Sequence, residues 1–76
     1  MIRYTKEYLS NLVRKNIRKY RKEKKLTLQE LADKVNMSHG YMRDLECFKL
    51  NKTPSLETIG LIANALQIDI KDLFIE

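Results

Sequence analysis

The stretch LTLQELADKVNMSHGYMRDLE, residues 26–46, decides the fold of this chain. Thr27 is followed three residues later by Glu30, the spacing of a capping box in which each side chain satisfies the other residue's unpaired backbone N–H. A helix is therefore predicted from Leu28 to Val35, with Leu31, Ala32 and Val35 on one face and Gln29, Asp33 and Lys34 on the other. Asn36 tolerates the left-handed conformation that ends a helix, so Asn36-Met37 reads as a tight turn. Ser38 then caps a second short helix covering His39 to Glu46. At about 100° per residue, Met42 and Leu45 of that helix point one way and Gly40, Arg43 and Asp44 the other.

Working outward, Thr5 is an N-cap for a longer first helix whose apolar residues Leu9, Leu12, Val13, Ile17 and Tyr20 recur at three and four, running to about Lys24. Residues 47–55 read as a loop. Ser55 caps a fourth helix carrying Leu56, Ile59, Ile62, Ala63 and Leu66, in which Gly60 costs about 1 kcal/mol relative to alanine. Asp69 caps a last short helix ending with Leu73 and Phe74. Pro54 is the only proline and Gly40 and Gly60 are the only glycines, so breakers are scarce and the expected class is all-α, a compact domain of five helices. There is no repeat and no linker, and residues 1–76 are expected to form one domain with residues 1–12 as an N-terminal extension of the first helix.

The composition excludes several functions. Seventy-six residues support one modest core and are expected to leave no room for a separate ligand-binding or catalytic domain. The single cysteine, Cys47, and the single histidine, His39, offer no Cys/His cluster for zinc, so no metal and no cofactor are expected. The carboxylates fall on caps and outer faces, which argues against an enzyme. No apolar run approaches the roughly 18 residues of a membrane span, and Met1 to Glu7 lack the order of a signal peptide, so a cytoplasmic protein without membrane contact is expected. The net charge of +5 is unevenly spread, +8 over residues 1–52 and −3 over residues 53–76. A basic portion of this kind attracts polyanions. Eight of the twelve residues from Arg14 to Lys25 are Lys or Arg, which suits either a nucleic-acid-binding face or a solvated helix surface.

Two short helices joined by about three residues have the proportions of a helix-turn-helix. The stretch LTLQELADKVNMSHGYMRDLE, with TPSLETIGLIANAL and IKDLF after it, resembles the Cro and lambda-repressor type of helix-turn-helix regulator over roughly Val13 to Phe74. The resemblance implies a lambda-repressor-like fold with the helix-turn-helix at the second and third helices. It also implies a homodimeric DNA-binding regulator, of prophage-repressor or restriction-controller size, that acts on double-stranded DNA without a small-molecule ligand. The alternative is an antitoxin or another protein-interaction module on the same fold.

By that resemblance Ser38, His39, Gly40, Tyr41, Arg43 and Asp44 make up the reading surface. His39 and Tyr41 flank the helix N-terminus within reach of base edges or phosphates. Arg43 suits guanine O6 and N7 or a phosphate, and Asp44 either accepts from cytosine N4 or orients Arg43. At Gly40, either the backbone approaches the duplex closely or nothing is read. Family phosphate clamps carry over onto Thr27, Leu28, Gln29, Lys49, Asn51 and Lys52. Leu28 departs from the usual glutamine, and the segment from Cys47 to Thr53 is longer than usual and lacks the customary glycine. Arg21 and Glu46 occupy positions that typically form an ion pair, and Ile68, Ile70, Phe74 and Ile75 lie where family members dimerise.

Overall fold

The computed structural model describes residues 3–47 and 53–76. Four α-helices follow one another: α1 (Lys6–Glu23), α2 (Leu28–Lys34), α3 (His39–Glu46) and α4 (Leu56–Leu66). A 3-10 helix, Ile70–Phe74, ends the chain of elements. The expectation of five α-helices is thus corrected at the last element. Five residues leave room for hardly any i to i−4 bonds, and the tighter bond from Asp72 N to Asp69 O (2.9 Å) forms instead.

Each α-helix begins where a hydroxyl closes its first turn. The side chains of Thr5, Thr27, Ser38 and Ser55 accept from the backbone N–H of Tyr8, Glu30, Tyr41 and Thr58. At Thr27 the capping box is complete, since Thr27 N also donates to Glu30 Oε1 at 2.8 Å. Three helices end alike. Lys25, Asn36 and Gln67 stand at φ 57°, 58° and 59°, and the two N–H groups at each end fold back onto the last turn, as in Met37 N to Ala32 O (2.9 Å). α1 and α2 therefore stop one residue short of the sequence expectation, at Glu23 and Lys34.

The core draws on every element. Ile17, Leu31, Met42, Leu45, Ile62, Leu66 and Leu73 are fully buried, each contributing about 1.5–3 kcal/mol by leaving water. α2 packs on α3, and α1 packs on α3, α4 and the 3-10 helix. Asn16, buried in α1, donates through Nδ2 to the carbonyls of Leu73 and Ile75, both at 2.9 Å, and so fastens the 3-10 helix to α1. The two ends of the described chain also meet. The Glu76 carboxylate accepts two bonds from Arg3 Nη2 (2.8 and 3.0 Å) and one from the Tyr8 hydroxyl. Those bonds, Tyr8 first and Arg3 second, hold the Glu76 carboxyl below its ordinary range.

Candidate nucleic-acid interface

α2 and α3 are linked by Val35-Asn36-Met37-Ser38, and the left-handed Asn36 at φ 58° makes the bend. Ser38 is committed to capping α3, its Oγ accepting from Tyr41 N at 3.1 Å. His39 is exposed at the first position of α3, and Gly40 is half-buried beside it. Met42 and Leu45 are buried, whereas Arg43 is 64% exposed on the opposite side. A Cβ built on Gly40 would meet Arg43 Nη2 at 3.8 Å, ordinary van der Waals contact, so the guanidinium lies along the glycine face of the helix. Arg43 Nε is 3.6 Å from Asp44 Oδ1, and Asp44 is itself half-buried.

Two residues sit deeper than the sequence indicates. Tyr41 packs partly buried against the core rather than standing free at the flank of α3. Leu28 does the same in α2. An apolar side chain at the first helical position turns inward where a glutamine would stay in water, so Leu28 offers an anion only its first-turn backbone N–H. Thr27 and Gln29 are exposed, the latter bonded through Nε2 to Asp33 Oδ1 at 2.8 Å. Lys49, Asn51 and Lys52 lie outside the described residues.

Arg21 reaches from α1 to α3 in a two-pronged ion pair, Nε to Glu46 Oε2 at 2.7 Å and Nη2 to Glu46 Oε1 at 3.0 Å, and its Nη1 donates to Leu26 O at 2.8 Å. Both side chains are largely removed from water, at 12% and 7% exposure. The basic run from Arg14 to Lys25 is accordingly not one surface. Arg14 is only 3% exposed, with Nε on Leu45 O (3.0 Å) and Nη1 on Asn11 Oδ1 (2.9 Å), while Lys15, Arg18, Lys19, Lys22, Lys24 and Lys25 face solvent. Sequence reasoning missed Arg14. The signal it could have used was spacing: Arg14, Ile17 and Arg21 stand at i, i+3 and i+7, on the face of α1 that turns inward.

At the other end of the molecule, Ile70, Phe74 and Ile75 are exposed on and just after the 3-10 helix, which packs on α1 and α4. Ile68 is half-buried against the core. Among the described residues no group of three His, Cys, Asp or Glu is placed to hold a metal ion, and no helix is long and apolar enough to cross a membrane.

Residues 16–75 match the family model of the Cro/C1-type HTH DNA-binding domain. The immunity repressor protein of Bacillus phage phi105 is 43% identical over 58 residues, 76% of this chain and 39% of the repressor. The chain thus spans about two fifths of the length of that curated relative. Two crystal structures of the clp gene regulator ClgR from Corynebacterium glutamicum superpose with TM-scores of 0.78 and 0.79. Both are 31% identical to this chain and cover 86% of it, and the chain covers 82% and 67% of them.

Proposed function

Because the chain belongs to the Cro/C1-type helix-turn-helix DNA-binding family, we propose that it is a sequence-specific transcriptional repressor that reads an operator major groove with α3. Membership puts it among DNA-binding regulators rather than enzymes. In this reading α2 and α3 are the helix-turn-helix, residues 1–76 act as one cytoplasmic DNA-binding unit with residues 1–12 extending α1, and no cofactor takes part. The repressor role is supported by the likeness to a phage immunity repressor.

The observation that carries the proposal is the stance of Arg43. It is the one outward-facing residue of α3 whose side chain can grip a base edge with two donors, and it is exposed opposite the buried Met42 and Leu45. His39, Gly40, Tyr41 and Asp44 complete the surface turned to the groove. Thr27, Gln29, the first-turn backbone of α2 and Ser38 border it where phosphates run, with Lys49, Asn51 and Lys52 supplying further phosphate contacts. Two copies join through Ile68, Ile70, Phe74 and Ile75 and present two α3 helices to successive major grooves, about 34 Å apart.

Binding isotherms for Arg43→Ala on an operator selected from random DNA, and on a scrambled duplex, test this at two salt concentrations. A guanine contact is worth about 1–3 kcal/mol on the operator alone and relaxes preference mainly at one base pair per half-site. Equal weakening on both duplexes with a shallower salt slope would assign Arg43 to a phosphate. Unchanged affinity on both would remove it from the interface.

A further inference from the structure

α3 carries the reading side chains, yet eight residues of helix have few means of fixing their own direction. Its N-terminal end is set by the Ser38 cap and the short link to α2. Its C-terminal end runs into Cys47, whose backbone is extended at φ −91° and ψ 114° and whose N–H donates to Asp44 O at 3.2 Å. The next carbonyl of that turn, Leu45 O, takes its donor from α1.

Two arginines of α1 hold this end of α3. Arg21 holds the Glu46 side chain, and Arg14 holds the Leu45 carbonyl. Seven residues separate them, two turns and about 10 Å along α1, so they seize the end of α3 at two heights. A single grip would leave a pivot, and the second removes it. Arg14 is placed for this: it is nearly inaccessible, its Nη1 is steadied by Asn11, and its positive charge sits against the negative end of the α3 dipole. It also lies upstream of residues 16–75, the part that matches the family model.

We propose that Arg14 is a positioning residue that fixes the tilt of α3 and thereby sets how sharply this chain discriminates between DNA sequences. The inference rests on the reading that α3 contacts bases, and the readout is chosen to separate the two. Duplexes enriched from a random library by the wild-type chain are compared with scrambled duplexes for wild type, Arg14→Met and Arg14→Lys, with helicity followed by circular dichroism. A loss of folded molecules weakens both duplexes in equal proportion, so the ratio of the two affinities reports orientation alone. Arg14→Met is expected to lower that ratio on the order of tenfold, the loss of one good base contact. Arg14→Lys keeps the charge and one donor but cannot span Leu45 and Asn11 together, and falls between. If Arg14→Met does not fold, Arg14→Lys decides: an intermediate ratio supports the assignment and a wild-type ratio overturns it. A wild-type ratio in folded Arg14→Met likewise overturns it. A wild-type chain that enriches no sequence overturns the reading of α3 and this inference with it.

Discussion

The Arg21–Glu46 pair is where a single side chain matters most to stability. Its two parallel bonds, 2.7 and 3.0 Å, sit in a region largely closed to water, and removing one partner of such a pair leaves an uncompensated charge. Glu46→Ala is expected to destabilise the fold by about 3 kcal/mol, read as a lower midpoint in urea unfolding. An unchanged midpoint would mean that the guanidinium finds water at no cost. This pair was legible in the sequence only through family resemblance, because nothing local joins residues 21 and 46. The inward face of Arg14 was legible in its spacing, but the partners of Arg14 and Asn16 across the fold were not. Their partners are the backbone carbonyls of Leu45, Leu73 and Ile75, 31, 57 and 59 positions away, and a carbonyl carries no sequence signal of its own. The partial burial of Leu28 and Tyr41 was hidden for a related reason. A helix terminus fixes where a side chain starts, while the neighbouring helix decides whether it turns in.

Helix starts were far more readable than helix identities. Thr5, Thr27, Ser38 and Ser55 act within three residues of themselves, so their sequence context is nearly their whole environment. The 3-10 form of Ile70–Phe74 was hidden, because a cap at Asp69 suits either kind of helix and the choice lies in the bond from Asp72 N to Asp69 O. α4 has an arrangement that invites a paired test. Its glycine, Gly60, lies in mid-helix with open space where a Cβ would stand, nothing coming within 4 Å of that point, whereas its left-handed end is Gln67 at φ 59°. Gly60→Ala is expected to stabilise by about 0.5–1 kcal/mol through backbone entropy. Gln67→Gly is expected to stabilise by on the order of 1 kcal/mol through relief of the left-handed strain. The two sites are distinct enough for the gains to add, and the double variant's thermal midpoint checks the sum.

Across the whole chain, charge is uneven by segment. Residues 1–52 carry +8, and residues 53–76, which hold α4 and the 3-10 helix, carry −3. In the proposed dimer the apolar Ile70, Phe74 and Ile75 meet in the acidic segment, leaving α2 and α3 for DNA. Ile75→Asp, at a half-exposed position, is expected to shift sedimentation from dimer to monomer. It should weaken a two-half-site operator more than a single half-site, and a wild-type chain sedimenting as a monomer in both settings would refute the arrangement. The contact between the two ends of the described chain is sensitive to acid. Glu76 has a folded-state pKa below its ordinary 4.5, so its bonds to Arg3 and Tyr8 are intact above that value and are lost as pH falls through the lower one. Tyr8 ring resonances should shift over that acid range in the wild type and stay flat in Glu76→Gln.

If α3 reads bases as proposed, Gly40 gives it an evolutionary degree of freedom. Since a Cβ there touches only the tip of Arg43 at 3.8 Å, the first atom of a side chain can be added without disturbing the packing beneath. A lineage can thus acquire a second base preference at position 40 while Arg43 still secures the ancestral operator, and relinquish the old contact afterwards. Operator and protein can then drift together through intermediates that all bind, a path closed to regulators whose reading positions are already filled.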